Sequence, residues 1–229
     1  MLFVYEIAGN FRISTMAKLS RKLPLSFYQR PDVVNIAREL IGKKLVTCID
    51  GCRTSGIIVE TEAYAGITDR ASHGYGGRRT ARNEMLYHAG GVAYVYLCYG
   101  IHHLFNVVTN KQDIPHAVLI RAVQPEEGIA EMLKRAGKSQ LNYSLTAGPG
   151  ALSRALGIHY RQHNGVSLVD NLIWIEDAPP VADTEIVATT RVGVAYARED
   201  AWLPYRFYLR DNPWVSRAKG LTANERAHP

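Results

Sequence analysis

Two hairpin signals constrain the fold of this chain more than any other feature of its sequence. Asp50-Gly51 separates a predicted strand at residues 43–49 from a return strand at residues 53–64, and an Asp-Gly pair between two such strands is typical of a tight turn. Gly100 turns a second pair of predicted strands. Because tight hairpins join antiparallel strands and parallel strands need long crossovers, the sequence predicts an antiparallel sheet.

The other predicted elements do not alternate regularly between strand and helix. Residues 31–42 form a predicted helix, because apolar side chains recur on one face and Pro31 and Gly42 suit its two ends. Further predicted helices are at residues 80–87, 126–136 and 149–156, and further strands are at residues 92–99, 102–109, 116–123, 173–176 and 205–210. This order favours an α+β class over a doubly wound fold.

The chain reads as a single domain, because no internal repeat or low-complexity linker divides it. We expect this domain at residues 23–217, with an N-terminal extension at residues 1–22 and a C-terminal tail at residues 218–229. The first residues do not resemble a signal peptide, since no basic flank precedes them and Glu6 interrupts the apolar run. Translation from Met16 would remove most of the extension.

The composition favours a polyanionic partner and argues against several classes of protein. The formal net charge is +6, which is consistent with binding to nucleic acid. No apolar run is long enough to span a membrane. The three cysteines are too few and odd in number for a disulfide scaffold. Cys48 and Cys52 flank a turn, but no second Cys/His pair at ligand spacing completes a metal site.

The segment Val59-Glu60-Thr61-Glu62-Ala63-Tyr64 carries the strongest chemical signal. In a regular strand, residues two apart share a face, so Glu60, Glu62 and Tyr64 are expected to project the same way. Two neighbouring carboxylates can supply an acid or a base. The alternative interpretation is the solvated face of an edge strand.

A tyrosine-rich segment, Tyr94-Val95-Tyr96-Leu97-Cys98-Tyr99-Gly100, forms the second signal. Tyr94 and Tyr96 are expected to share a face, whereas Tyr99 falls at the hairpin tip. An exposed aromatic side chain there makes sense if it wedges into a nucleic-acid base step. The alternatives are core or cross-strand packing for Tyr94 and Tyr96 and a partly exposed turn position for Tyr99.

Between these two segments lies a loop rich in glycine and arginine. Arg78, Arg79 and Arg82 suit contact with backbone phosphates, and His73 could be a stacking ring or a hydrogen-bond donor. A mobile, solvated basic loop is the alternative. No phosphate-binding loop, dinucleotide fingerprint or zinc signature is present in the sequence.

Several segments, in the same order along the chain, resemble the alkyladenine (3-methyladenine) DNA glycosylase family. They are VETEAY at 59–64, His73, YVYLCYG at 94–100, Asn106, VLIRA at 118–122, AGP at 147–149 with Leu152 and Leu156, RVG at 191–193 and RFY at 206–208. The match covers roughly residues 23–216. These motifs are too long and too consistently ordered for a chance resemblance.

The resemblance implies a role for each matching residue. Glu62 matches the general base that activates the attacking water, and Arg121 matches a residue that helps to hold that water and the carboxylate. Tyr99 matches the residue that fills the gap left in the duplex. Asn106 matches a residue that obstructs the amino group of normal guanine. The walls that stack the flipped base match Tyr64, His73 and Tyr96.

The resemblance also implies the fold, the partner and the reaction. The expected fold is a single mixed domain built on a curved antiparallel sheet, with surrounding helices and a protruding tyrosine hairpin. The expected enzyme needs no metal or cofactor and acts as a monomer on double-stranded DNA that contains damaged purines, away from membranes and inside the cell. It hydrolyses the N-glycosidic bond, and without a lysine in the catalytic segments it is expected to leave an abasic site without cutting the strand.

Two other functions compete with this interpretation. One is a glycoside or nucleoside hydrolase that uses Glu60 and Glu62 as its two carboxylates. The other is a binder of damaged DNA without catalytic activity.

The sequence departs from the family pattern at two places. Ala151 stands where members commonly carry a lysine, and Arg154, one turn along, could replace that phosphate contact. A few extra residues lie between Asn106 and Arg121.

Overall fold

A computed structural model describes residues 22–222, in which the strands form one antiparallel sheet. The strands are β1 (Lys44–Ile49), β2 (Cys52–Ala65), β3 (Ala93–Cys98), β4 (His102–Thr109), β5 (His116–Glu127), β6 (Ile173–Glu176), β7 (Ile186–Thr189) and β8 (Arg206–Leu209). Their order is β3-β4-β5-β2-β1-β6, and β8 pairs with both β2 and β7. The curled sheet with helices around it confirms the α+β class and the single mixed domain fold.

Strand β2 lies at the centre of this sheet. It pairs with β5 along one edge, and along the other edge its first half pairs with β1 and its second half with β8. The interpretation of this segment as a solvated edge strand is therefore wrong. The pairing of β2 with β5 shifts register on both sides of Glu60, which marks a β-bulge.

Both predicted hairpins form. Asp50 and Gly51 have φ values of 54° and 73°, and Tyr99 and Gly100 have φ values of 50° and 75°. Two consecutive positive φ values are the signature of the type I′ turn, whose twist matches that of the strands it joins.

Five short helices surround the sheet within the described residues. They are α1 (Leu25–Tyr28), α2 (Val33–Glu39), α3 (Ile129–Ala136), α4 (Pro149–Leu156) and α5 (Tyr160–His163). Single 3₁₀ turns occur at Gly66–Thr68, Tyr75–Gly77, Glu84–Tyr87, Tyr143–Leu145 and Asp183–Glu185, with a longer one at Ala195–Trp202. Helix α2 packs on β2, and α4 packs on β4 and β5. None of the helices in residues 22–222 combines the length and apolarity needed to cross a membrane.

Two predicted helix boundaries were wrong. The helix expected from residue 126 begins only at Ile129, because β5 continues to Glu127 and Gly128, with a φ of 71°, ends the strand. Glu126 and Glu127 bind Lys44 across the sheet rather than capping a helix. Near residue 80 only the 3₁₀ turn Glu84–Tyr87 forms, since the Thr80 amide and hydroxyl both donate to Asn83.

The main hydrophobic core lies between the sheet and the helices, and two smaller apolar clusters support the strands that carry the candidate site. One small cluster contains Leu86, Tyr87, Tyr94, Val108 and Ala117, with Tyr96 packed against it. The other contains Ala71, Val194, Ala197 and Ala201, with Tyr64 packed against it. Tyr64 and Tyr96 are therefore supported by different apolar clusters.

Candidate active site

A pocket of about 740 Å³ beside the central strands gathers most of the residues predicted for the site. The predicted residues that line it are Glu62, Tyr64, His73, Arg82, Tyr96, Tyr99, Asn106 and Arg121. Arg78 and Arg79 are not among the lining residues. A second pocket of about 840 Å³ lies near α1 and α2 and contains none of the predicted residues.

Glu62 is completely buried yet lines the pocket. Its Oε1 accepts a hydrogen bond of 2.7 Å from the Val192 backbone amide, and its Oε2 accepts one of 2.8 Å from the Tyr64 hydroxyl. Arg121 Nη1 lies 3.3 Å from Oε1. Charge-assisted contacts of this kind stabilise a carboxylate and fix its orientation.

Glu60 has a different environment from Glu62. It is also fully buried, but it does not line the pocket. It accepts hydrogen bonds from Arg121 Nε at 2.7 Å, from Arg206 Nε at 2.8 Å and from the Ser216 amide at 2.8 Å. Glu60 and Glu62 pair in regular register with Tyr208 and Arg206 of β8, and both carboxylates contact Arg121, so the two side chains lie on the same side of β2. Glu60 therefore anchors Arg121 instead of facing a substrate.

Aromatic side chains form two walls of the pocket. Tyr96 contacts His73 with ring centres 4.7 Å apart, and it stacks on Tyr94 at 5.4 Å. Tyr94 and Tyr96 thus share a face, and Tyr94 is nearly all buried. Tyr64 belongs to the other apolar cluster, so these rings approach the pocket from separate supports.

Burial keeps the titratable rings of the pocket neutral. It raises the pKa of Tyr94 to about 12, and it raises the pKa values of Tyr64 and Tyr96 as well. Burial lowers the pKa of His73, and the charges of Arg82 and Arg78 lower it further. His73 Nδ1 lies 3.0 Å from the Tyr94 hydroxyl. A neutral imidazole nitrogen can accept a hydrogen bond from that hydroxyl.

Asn106 is held rigidly among the pocket residues. Its Nδ2 donates to the backbone carbonyls of Tyr94 at 3.1 Å and of Leu104 at 3.3 Å. Both amide protons are used by these two bonds, which leaves the side-chain oxygen as the polar group available to a ligand.

The hairpin tip between β3 and β4 presents Tyr99 to solvent. This side chain is 91% exposed, and its neighbour Ile101 is 65% exposed. Exposed large apolar groups on one hairpin tip, next to a pocket, are typical of a binding surface.

The predicted arginines occupy unequal positions. Arg79 is neutralised by Glu84 at 2.5 Å and Asp113 at 2.7 Å. Arg82 lines the pocket and donates to the Leu97 carbonyl. Neither Arg78 nor Arg82 forms an ion pair with a carboxylate among residues 22–222. Arg78 and Arg82 are therefore better placed than Arg79 to meet an anionic partner.

Sequence reasoning missed three parts of the site. These are the Val192 amide on Glu62, the Arg206 and Ser216 contacts to Glu60, and a buried ion pair between Asp69 and Arg191. Arg191 and Val192 belong to the RVG motif of the resemblance, which signalled their importance without a role. Asp69 and Ser216 gave no signal, because their contacts join loops far apart in the sequence.

Comparison with protein families gives one matching family model. Residues 26–213 match the model described as methylpurine-DNA glycosylase. The matched range includes every residue that lines the pocket.

Individual proteins show the same similarity. A protein of Bacillus cytotoxicus is 46% identical over 205 residues, which are 86% of this chain and 100% of the relative. A protein of Bacillus cereus strain B4264 is 46% identical and covers 85% of this chain and 98% of its own length. One of Chlamydia felis is 47% identical over 82% of this chain and 95% of the relative. Each carries the name "Putative 3-methyladenine DNA glycosylase".

Proposed function

Since this chain belongs to the methylpurine-DNA glycosylase family, we propose that its substrate is a damaged purine turned out of duplex DNA into the pocket. The chain is a monofunctional DNA-repair glycosylase that hydrolyses N-glycosyl bonds. We infer that the purines accepted are alkylated or deaminated, with 3-methyladenine among them. A base inside the duplex is out of reach, so extrusion has to come before the chemistry.

Glu62 is the proposed general base, and one observation carries this proposal. Among the described residues that line the pocket, Glu62 is the sole carboxylate. It takes a proton from a water molecule, the water oxygen bonds to C1′ of the sugar, and the C1′–N bond breaks with its electron pair on the purine. The negative charge of Glu62 also stabilises the oxocarbenium character of the sugar, while Arg121 orients the carboxylate.

The proposed products are a free purine and an abasic site. No lysine occurs among the described residues that line the pocket, and a Schiff base that leads to strand cleavage needs such an amine. The hydrolase that uses two carboxylates is less well supported, because Glu60 is enclosed by Arg121, Arg206 and Ser216.

Recognition of the base is proposed to rest on stacking and exclusion. Tyr64, His73 and Tyr96 would stack on the purine, each contact contributing about 1–3 kcal/mol. A neutral His73 does not repel a cationic alkylated base, and electron-rich rings attract one. Asn106, held in place through its Nδ2, would obstruct the amino group of guanine sterically.

The hairpin and the basic loop are proposed to hold the duplex. Tyr99 would occupy the space that the flipped nucleotide leaves, and Arg78 and Arg82 would contact phosphates, with a smaller contribution from Arg79. We propose that the protein acts as a monomer, in the compartment that holds the DNA: the nucleoid of a bacterial cell or the nucleus of a eukaryotic one.

The test is single-turnover release of purines from duplex DNA methylated with dimethyl sulfate. The unaltered protein should release methylated purines, and Glu62→Gln should abolish release while it retains duplex binding. Glu39→Gln, which changes a glutamate outside the pocket, is the matched control. Duplex binding without release by the unaltered protein would instead support a non-catalytic binder of damaged DNA.

A further inference from the structure

A buried ion pair between Asp69 and Arg191 lies next to the pocket. Asp69 is 2% exposed and Arg191 is completely buried. Arg191 Nη1 lies 2.5 Å from Asp69 Oδ2, and Nη2 lies 2.9 Å from Oδ1. The Ala65 and Ala71 amides also donate to Asp69, each at 3.0 Å. Removing two charges from water is costly, so a buried pair is weak evidence for a role in stability alone.

Arg191 contacts the structures that hold Glu62. It precedes Val192, whose amide binds Glu62 Oε1. Its guanidinium lies 5.0 Å from the ring centre of Tyr64, whose hydroxyl binds Glu62 Oε2. Its Nη1 donates at 2.9 Å to the carbonyl of Ala63, the residue between Glu62 and Tyr64. Two of the three groups that contact the Glu62 carboxylate thus depend on the position of Arg191.

The charge of Arg191 also reaches Glu62. Burial lowers the pKa of Arg191, but hydrogen bonds and charge from Asp69, with further contributions from Tyr64 and Glu62, raise it overall. Arg191 therefore stays protonated and places a positive charge behind the carboxylate, and Asp69 balances part of that charge.

We propose that the Asp69–Arg191 pair is a positioning device for Glu62, which fixes the two neutral donors to its carboxylate and sets the electrostatic potential there. This inference rests on the proposed role of Glu62 as the general base. Arg191 and Asp69 themselves do not line the pocket, so both are positioning residues.

Charge changes at the two residues have opposite expected effects on the pH profile of catalysis. A nearby positive charge favours an ionised carboxylate, and a nearby negative charge disfavours it. Arg191→Gln should therefore move the acidic limb of the single-turnover profile to higher pH, and Asp69→Asn should move it to lower pH. Arg191→Lys keeps the charge but loses the fork-shaped contact, so it should keep the limb and lower the plateau rate.

The experiment measures release from dimethyl-sulfate-methylated duplex DNA across pH 5–9, corrected for spontaneous depurination. Misplacement of a catalytic group by about 1 Å can cost about a hundredfold in rate, so losses of up to that size are expected for Arg191→Lys. Arg38→Gln, which breaks the ion pair with Asp183 outside the pocket, is the control. Circular dichroism and duplex binding establish that each variant is folded.

Shifts of opposite sign would support the proposal. Unchanged acidic limbs in folded variants, with rates that follow only the melting temperature, would overturn it and assign the pair to stability. If the Arg191 variants do not fold, the direction of the shift in Asp69→Asn decides the matter. Loss of release in Glu62→Gln with no limb shift in these variants refutes this inference alone, whereas no release by the unaltered protein refutes the proposed function.

Discussion

At the scale of single residues, the two neighbouring glutamates of β2 differ in their contacts and therefore in their proposed tasks. Glu62 lines the pocket with three donors on its carboxylate, and Glu60 holds two arginines and a serine beneath it. The sequence predicted that this segment carries the chemistry, from two carboxylates near a tyrosine. It could not distinguish the two glutamates, because Arg206 and Ser216, which enclose Glu60, lie far along the chain.

Glu60→Gln tests this division of tasks. The change leaves the buried Arg206 facing a neutral glutamine and leaves Arg121 with Glu62 as its charged partner, which should lower the free energy of unfolding by about 3–5 kcal/mol. Purine release should also fall, because Arg121 loses the contact that orients it. Urea unfolding and single-turnover release measure the two effects. Glu39→Gln, at the exposed pair with Arg30, should cost less than about 1 kcal/mol; equal losses in both variants would contradict the anchoring role of Glu60.

His73 gives a prediction for the pH dependence of stability. Because burial lowers its pKa, the unfolded chain takes up a proton here below about pH 6.5 while the folded protein does not. The stability contributed by neutral His73 is thus present above that pH and is lost as the pH falls towards the lowered pKa. The urea midpoint should fall less between pH 7 and pH 5 in His73→Asn than in the unaltered protein.

A second histidine separates this stability effect from catalysis. Burial also lowers the pKa of His116, but His116 does not line the pocket. His116→Asn should flatten the pH dependence of stability while purine release is kept. An unchanged fall of the midpoint in His73→Asn would show that His73 is protonated equally in both states.

At the scale of the elements, the β3–β4 hairpin exposes an aromatic ring in a backbone conformation that lowers the stability of the turn. Tyr99 has a φ of 50°, a conformation that costs a residue with a side chain about 1–2 kcal/mol and that asparagine or glycine adopts more easily. The identical turn at Asp50-Gly51 uses residues suited to it. The proposed contact of Tyr99 with the duplex would account for a bulky tyrosine in this position.

Tyr99→Asn should therefore stabilise the folded protein and lower its rate of purine release. The free energy of unfolding should rise by up to about 1 kcal/mol, while release from duplex DNA falls because nothing fills the gap left by the flipped base. Denaturant unfolding and single-turnover release measure the pair of effects. Asp50→Asn in the other hairpin is the control and should leave release unchanged. Full activity of Tyr99→Asn on a duplex would exclude the wedge.

The elements that the sequence predicted best are those with local signals at both ends. Helix Pro149–Leu156, between Gly148 and Gly157, and strand His102–Thr109, after a tight turn, have the expected bounds. Strand β7 and helices α1 and α5 were missed, because each has only four residues and owes its conformation to neighbours. The helix start predicted at residue 126 was wrong. Glu126 and Glu127 look like the acidic residues of a first helical turn, but they belong to β5 and contact Lys44 across the sheet.

At the scale of the whole molecule, the positive charge of the basic loop is available to a partner only where no carboxylate pairs with it. The net charge is +6, yet Arg79, in the middle of the predicted basic loop, is balanced by Glu84 and Asp113. Composition predicted the polyanionic partner, but it could not show which arginines are neutralised, because Asp113 lies 34 positions away from Arg79.

The salt dependence of duplex binding should resolve the individual arginines. Arg78→Gln and Arg82→Gln should each reduce the slope of log K against log salt by about 1, as expected for one lost phosphate contact. Arg79→Gln should reduce it less. Fluorescence anisotropy with a labelled duplex measures the slopes, and Arg30→Gln, far from the loop in sequence and paired with Asp32 and Glu39, is the control. Equal slopes in all four variants would contradict the phosphate contacts.

The central position of β2 also predicts different rates of backbone opening at Glu62 and at the β3–β4 tip. Its amides are bonded to β5 on one side and to β1 and β8 on the other, so the backbone that carries Glu62 can exchange its hydrogens only when the sheet opens as a whole. The β3–β4 tip is held by one hairpin and can open far more often. The hairpin tip can thus rearrange many times within the lifetime of a single arrangement of the backbone around Glu62.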